Sequence, residues 1–236
     1  MAYSLSIVIP VRNDATALKC TLDHLDALPL GGAIEVIVAA CDDVERTRTA
    51  VANRAILIWP DESTRAALMN AGATIARGDT LLFLHADSLL PLNAWALIGA
   101  ALRSPDVVGG AFEHRFIERD WRLSIISAIN RVRYRLTRNY YGDQGIFVRT
   151  EVFHQLGGFR PLSLMEDLDF SQRLKRIGPT RLIGIPLQTS GRRFLSRGPW
   201  RTLLQCGLLV TLWTFGGNTE RFAERWREWA SRNVRL

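Results

Sequence analysis

Four polar clusters interrupt the apolar pattern of this 236-residue chain where the backbone must turn: Arg12-Asn13-Asp14, Asp42-Asp43, His85-Ala86-Asp87 and Glu166-Asp167. Carboxylates dominate them. A carboxylate at the edge of a sheet can hold a divalent cation, and the cation can hold phosphate oxygens. A carboxylate within hydrogen-bond reach of a substrate hydroxyl can act as a general base. Plainer readings exist for both. Asp87 would cap a helix entered through Leu89-Leu90-Pro91, and Glu166-Asp167 would complement the positive end of the helix they open. Acidic groups brought together repel unless a cation or a basic side chain lies between them. The chemistry therefore turns on whether the fold gathers these clusters.

The apolar periodicity says that it does. Leu81–Leu84, bounded by Gly78-Asp79, reads as a strand buried on both faces. Leu5–Pro10 is a strand ending in the turn Val11-Arg12-Asn13-Asp14, and a helix follows over Ala15–Leu28. Ile34–Ala39 is a strand running into Ala40-Cys41-Asp42-Asp43, Ile56–Trp59 is another, and Ser63-Thr64 opens a helix that reaches Ala76. This alternation predicts βαβ units and a Rossmann-like parallel sheet over residues 1–105. Three of the four clusters then lie beyond the carboxyl ends of strands, where open α/β sheets bind ligands. No GxGxxG follows the first strand, which disfavours ordinary dinucleotide binding.

The second half changes character. Val107–Phe116 reads as a strand in which Gly109-Gly110 allow a bulge or the close approach of a ligand. Asp120–Arg138 reads as a basic amphipathic helix with Trp121, Ile125, Ile129 and Val132 as its apolar stripe. Gly142-Asp143-Gln144-Gly145 precedes a short strand at Ile146–Val148. Helices are predicted at Thr150–Leu156 and Glu166–Ile177, strands at Leu182–Ile185 and Leu187–Thr189, and helices at Trp200–Phe215 and Thr219–Arg232.

Net charge is +7, and because only Lys19 and Lys175 are lysines, 28 of the 30 basic residues are arginine. Arginine's planar fork suits phosphate. Between residues 192 and 236 nine arginines face three glutamates, so the positive charge gathers at the C-terminus. Such a surface suits phosphates, an anionic membrane or nucleic acid. Cys20, Cys41 and Cys206 are far apart and form no CxxC pair, which argues against a disulfide framework or zinc site and fits a reducing cytoplasm. The N-terminus enters a strand with no basic leader or cleavage site, so no signal peptide is expected. The apolar run Cys206–Phe215 is too short to span a bilayer. With arginines on both flanks and interfacial Trp, it lies on an anionic membrane surface, packs on the protein, or forms a homodimer interface.

The segments Ile7-Val8-Ile9-Pro10-Val11-Arg12-Asn13, Glu35-Val36-Ile37-Val38, Met69-Asn70-Ala71-Gly72, Leu84-His85-Ala86-Asp87 and Met165-Glu166-Asp167-Leu168-Asp169-Phe170 occur in that order. With Gly142–Arg149 and Leu156-Gly157-Gly158-Phe159, they resemble a family 2 glycosyltransferase of the GT-A fold over about residues 5–180. The form Leu-His-Ala-Asp resembles a bacterial subgroup that carries it in place of the usual DxD. The resemblance implies an α/β, Rossmann-like GT-A domain over residues 1–190, its mostly parallel central sheet flanked by helices. Residues 1–105 would bind the nucleotide-sugar, residues 106–190 the acceptor, and residues 191–236 would be a helical extension. The implied activity moves a sugar from a UDP- or GDP-linked donor to an acceptor hydroxyl with inversion.

By the same resemblance, Pro10, Val11, Arg12, Asn13 and Asp14 would line the base and ribose, with Asn70 and Ala86 also on the donor side. Asp87 would bind Mg²⁺ or Mn²⁺. His85 stands at the first position of the motif, where histidine can ligate a metal or hydrogen-bond a phosphate. Asp167 would be the general base, with Glu166 beside it. Gly110, Asp143, Gln144 and Trp200 would face the acceptor. Arg192 and Arg193 resemble the basic segment that closes over the diphosphate in processive relatives; otherwise they belong to a solvated loop. Ala40 replaces an aspartate that normally contacts the base, and Asp42 or Asp43 would substitute for it. His114 contacts acceptor or is structural, and nothing marks Cys41 as a nucleophile.

The expected protein is a cytoplasmic enzyme, peripheral on the inner membrane face, with a lipid-linked or membrane-proximal acceptor and no nucleic-acid partner. Two other readings stand. A nucleotidyltransferase would carry a Gly-rich phosphate loop after the first strand, and Pro10-Val11-Arg12-Asn13 is not one. A degenerate protein that binds nucleotide-sugar or membrane without transfer is left open by Ala40 and His85.

Overall fold

The computed structural model describes residues 4–29 and 33–216. The helix expected at Thr219–Arg232 lies outside the described residues. Among those described, β1 (Ser4–Val11), β2 (Ala33–Ala40), β3 (Ile56–Ile58) and β4 (Thr80–Phe83) alternate with α1 (Ala15–Asp26), α2 (Val44–Val51) and α3 (Arg65–Ile75). β1 pairs in parallel with both β2 and β4, Ile7 facing Val36 on one side and Leu82 on the other. All four residues of β4 are buried, as an apolar run enclosed on both faces requires.

After β4 come β5 (Ser88–Leu89), α4 (Ala94–Ala101), β6 (Gly109–Phe116), α5 (Trp121–Thr137), β7 (Ile146–Arg149), α6 (Thr150–Gln155), α7 (Glu166–Ile177), β8 (Thr180–Thr189), α8 (Arg192–Arg197) and α9 (Pro199–Thr214). The sheet order is β3-β2-β1-β4-β7-β6-β8-β5, with β7 antiparallel to both neighbours. The sheet is therefore parallel in its first half and mixed in its second.

Four expectations are corrected. Ser88 and Leu89 form a short strand rather than entering a helix; α4 begins six residues later, so Asp87 is not its cap. The two strands expected between 182 and 189 are one, β8, whose register slips where Phe112 pairs with Ile183 but Glu113 with Pro186. The irregularity lies there and not at Gly109-Gly110. Those glycines let strands approach: a Cβ on Gly110 would run into the Arg181 carbonyl of β8 and stand 2.7 Å from the Phe147 ring.

The fourth correction concerns α5. Its stripe of Trp121, Ile125, Ile129 and Val132 is exposed, and the buried face is Leu123, Ile126, Ser127, Asn130 and Tyr134. Buried Glu113 of β6 draws the other face inward by pairing with Arg131 at 3.1 Å and Arg135 at 2.7 Å. Residues 191–216 pack against the rest of the domain. Leu203 of α9 packs with Phe116, Leu123 and Ile126, and Leu209 packs with Met165 and Leu168 at the start of α7. A ring cluster of Phe83, Phe153, Phe159 and Phe170 locks α7 against β4, with centroids of 4.8 Å for Phe83–Phe159 and 4.6 Å for Phe159–Phe170. Each such contact is worth about 1 kcal/mol beyond its burial. The N-terminus of α7 is thereby fixed over the sheet.

Candidate active site

The sheet gathers the clusters as its topology requires. Asp42 accepts a hydrogen bond from the Asn13 backbone N–H at 2.6 Å and lies 3.8 Å from the Arg12 guanidinium. The turns after β1 and β2 are thus joined through Asp42, two residues beyond buried Ala40. Asp43 instead sits at φ 51° ahead of α2, 3.9 Å from Arg46. Between the two aspartates offered as replacements for Ala40, Asp42 meets the loop. Pro10 and Val11 close β1 beneath it. The Cys41 thiol donates weakly to the Val11 carbonyl at 3.7 Å, and burial pushes its pKa up, which removes it as a thiolate nucleophile.

Asp87 lies just before β5 and Arg192 just after β8. Because Ser88 pairs with Thr189, the two side chains are delivered to one place. Arg192 Nη2 stands 3.5 Å from Asp87 Oδ2 and binds Asp14 as well, so one guanidinium bridges the ends of β1 and β4. Burial raises the pKa of Asp87, while Arg193 and Arg192 pull it back and Asp14 adds to the rise. Ala86 is buried and its carbonyl accepts from Thr21 Oγ1 at 2.7 Å, anchoring this turn to α1.

Asp167 and Glu166, on the first turn of α7, meet a residue the sequence reading missed. Arg65, at the first position of α3, donates through Nε to Glu166, through Nη2 to Asp167 Oδ2 at 3.1 Å, and through Nη1 to His85 Nε2 at 2.9 Å. Burial works against its charge, but Glu166 and Asp167 outweigh burial and hold it firmly protonated. A signal for it existed. A cation directly after the Thr64 cap opposes the helix dipole, and a residue kept in an unfavourable place has another use. Since arginine only donates, His85 Nε2 must be the acceptor and Nδ1 carries the proton. Burial, then Arg65 and Arg193, keep the His85 pKa well below its usual value, so the ring is neutral.

The Gly142–Gln144 turn closes the site. Gly142 N–H donates to Asp167 Oδ2 at 2.7 Å, and Leu168 N–H donates to Asp167 Oδ1 at 2.7 Å. A Cβ on Gly142 would stand 2.5 Å from His85 Nε2 and 3.2 Å from Arg65 Nη1, so any side chain there would displace the His85 ring. Asp169 is spent elsewhere, on Arg160 at 3.1 Å and Arg173 at 2.7 Å.

Several expected site residues are placed differently. Both amide atoms of Asn70 bind the backbone of Phe159, at 2.8 and 2.9 Å, so it joins α3 to the 158–159 turn instead of lining the donor site. Gln144 is fully buried, donating to the Phe112 carbonyl at 3.0 Å and accepting from Tyr141 N–H at 2.9 Å; it holds the turn. Gly110 is inside the sheet at the far end of β6 from His114, about 13 Å along the strand. Trp200 is on the outer surface, its ring 6.2 Å from that of Trp121. Asp143 does face the site, with Oδ2 3.7 Å from His114 Nε2.

The family model for glycosyl transferase family 2 matches residues 6–162. No curated protein matches the chain. Among solved structures, the mannosyltransferase PcManGT from Pyrobaculum calidifontis, in complex with GDP-Man and Mn²⁺, is 21% identical with a TM-score of 0.58, covering 79% of this chain and 55% of its own. S. aureus TarS 1-349 in complex with UDP-GlcNAc is 13% identical with a TM-score of 0.61, covering 79% and 58%. Glucosyl-3-phosphoglycerate synthase from Mycobacterium tuberculosis, in complex with Mn²⁺, UDP and glucosyl-3-phosphoglycerate, is 14% identical with a TM-score of 0.55, covering 79% and 71%. The chain thus spans a little over half the length of the first two. These likenesses give the GT-A fold. Together with the family match over most of the sequence, they place this chain in glycosyl transferase family 2.

Proposed function

We propose that this protein transfers a sugar from a UDP- or GDP-linked donor to an acceptor hydroxyl, with inversion. One observation carries the reading: Arg65 ties Asp167 to His85, two residues from Asp87, so that the carboxylates for the two halves of the reaction share one site. Three of the roughly four lone-pair directions on the Asp167 carboxylate are taken by Arg65, Gly142 and Leu168. The one left, on Oδ1, takes the proton of the attacking hydroxyl. A single base and direct displacement at the anomeric carbon, with no covalent intermediate, invert the configuration. Arg12, Asn13 and Asp42 hold the nucleoside end, and Arg192 and Arg193 meet the diphosphate.

The residues fit a hard divalent cation. Asp87 and Asp14 gather two carboxylates at Arg192, and Mg²⁺ or Mn²⁺ needs only one or two of these plus phosphate oxygens. Among the described residues no group of three or more His, Cys, Asp or Glu is arranged to hold a metal unaided. His85 Nε2 is committed to Arg65, so the ring serves better as a phosphate donor through Nδ1–H than as a ligand. Bound at Asp87, the ion would supply Lewis-acid stabilisation of the departing diphosphate. The Mn²⁺, GDP-Man and UDP-GlcNAc in the neighbours' complexes support this donor class.

The test separates the two carboxylates. Asp87→Asn is expected to abolish Mn²⁺-dependent binding of UDP and GDP by calorimetry. Asp167→Asn is expected to keep that binding and lose about 10²- to 10⁴-fold in turnover. Full turnover by Asp167→Asn, or unchanged metal-dependent affinity in Asp87→Asn, would refute the assignment.

The surface supports docking on an anionic membrane, with a lipid-linked or membrane-proximal acceptor. α5 and α9 lie side by side and expose Trp121, Ile125, Ile129, Val132 and Leu136 beside Trp200, Leu204 and Leu208. Arg119, Arg138 and Arg201 are exposed at its margins. Among the described residues no helix is long and apolar enough to cross a membrane. Apolar side chains flanked by arginines suit an interfacial position.

A further inference from the structure

We propose that His114, Asp143, Tyr134 and the inward face of α9 bind a neutral, polyhydroxylated acceptor; the proposal rests on the transferase reading above and names the acceptor class. The observation is a group of buried polar atoms without hydrogen-bond partners, next to the general base. His114 is 2% exposed, its ring edge-on to Phe116 at 4.5 Å, and neither ring nitrogen has a partner. Asp143 Oδ1, the Tyr134 hydroxyl, Arg133 Nε, Thr202 Oγ1 and Gln205 Oε1 are likewise buried and unpartnered. Arg133 lies over the Tyr134 and Tyr141 rings at 4.9 and 4.3 Å. The Tyr134 ring of α5 lies 5.9 Å from that of Tyr141, and Val210 and Trp213 of α9 pack in the same cluster as Tyr141, so α5, α9 and the 142–144 turn converge on one place.

That place adjoins the reaction centre. The turn that presents Asp143 to His114 also donates Gly142 N–H to Asp167. Folded proteins pair nearly all their buried polar groups, so such a concentration beside a catalytic carboxylate marks a binding surface. The chemistry names the ligand. Tyr134, Thr202, Arg133 and one nitrogen of His114 donate; Asp143, Gln205 and the other nitrogen of His114 accept. Burial disfavours charge on His114, leaving Arg133 and Asp143 as opposite charges that cancel. Groups that both donate and accept are hydroxyls. A phosphate or carboxylate offers acceptors alone and would meet Asp143; an ammonium would meet Arg133.

Hydroxyls in this pattern belong to a free glycoside or to the head of a glycolipid, and the experiment distinguishes them. The protein, with Mn²⁺ and UDP or GDP present, is titrated with methyl hexosides, the corresponding 6-phosphates, and octyl hexosides below their micelle concentration, by ligand-observed NMR. Nucleotide affinity is measured in parallel by calorimetry. Methyl hexosides are expected to bind, and the 6-phosphates to bind at least about 10-fold more weakly. Tyr134→Phe and Gln205→Met are each expected to weaken hexoside binding about 5-fold, the effect of one lost hydrogen bond, and to leave nucleotide affinity unchanged. Tighter octyl hexosides identify a lipid-borne acceptor; equal affinities identify a free one. Absence of hexoside binding, equal or tighter binding of the phosphates, or wild-type affinity in both variants overturns the proposal. Absence of nucleotide binding in the wild type would instead defeat the transferase reading, and the hexoside titration still judges the acceptor site by itself.

Discussion

Arg65 Nη2 lies 3.1 Å from Asp167 Oδ2, and the same guanidinium reaches His85 Nε2 at 2.9 Å. One side chain at the start of α3 therefore orients Asp167, the proposed general base, and fixes the tautomer of His85. Because His85 shares its turn with Asp87, Arg65 links that turn to the first turn of α7.

Removal of that coupling is expected to cost stability as well as rate. Arg65→Met leaves Glu166, only 2% exposed, without its cation. Breaking a buried pair from one side costs about 3–5 kcal/mol, and the 38% exposure of the Arg65 side chain puts this case at about 3 kcal/mol or less. Urea denaturation should show the midpoint fall, with partial recovery in Arg65→Met combined with Glu166→Gln. Arg65→Lys keeps charge but loses the fork, so turnover should still drop at least about 10-fold.

Gly142→Ala tests the closeness of the turn. Its methyl group would stand 2.5 Å from His85 Nε2, so the ring must shift, and with it the Arg65 guanidinium that binds both the ring and Asp167. A displacement near 1 Å at a reacting group costs up to about 100-fold in rate. Steady-state assays should show the loss in kcat, with the circular dichroism spectrum of the fold unchanged.

His114 gives stability a pH dependence of known sign. Burial lowers its pKa in the folded protein, Asp143 opposing this and Arg133 adding to it. In the unfolded chain the ring protonates near pH 6.5. Below that value the unfolded state binds more protons, so stability falls as the pH falls, by up to about 1.4 kcal/mol per pH unit, until the lowered folded pKa is reached. His114→Phe should flatten the profile of unfolding free energy between pH 6.5 and 5.5; an unchanged slope would show that His114 is protonated in the folded protein.

Vesicle co-sedimentation tests the α5–α9 face. The protein should pellet with anionic vesicles and not with neutral ones, and less so at high salt. Leu136 is 79% exposed and Leu204 75%, so Leu136→Asp with Leu204→Asp should abolish pelleting without disturbing the fold. Arg138→Glu and Arg201→Glu should weaken it. Soluble protein at low salt with anionic vesicles, or a dimer occluding this face, would refute docking.

The sequence by itself determined the parallel half of the sheet. An uninterrupted apolar run such as Leu81–Leu84 is stable only when covered on both sides, and βαβ chirality then leaves little freedom in where the turns emerge. The places of Arg12, Asn13, Asp42 and Asp87 at one sheet edge follow from that rule. The tertiary structure decided what no local period encodes. The apolar stripe of α5 points outward because buried Glu113 claims Arg131 and Arg135, a relation between residues on different elements. Asn70 and Gln144 match motif positions, yet their amides serve backbone groups brought near only by folding. Arg65 became a site residue because α3 begins opposite α7, and Arg192 because the two-residue strand β5 pairs with the end of β8. Periodicity reports the face that a residue occupies on its own element; the partner on the next element is set by packing, and the chemistry of this site resides in those partners.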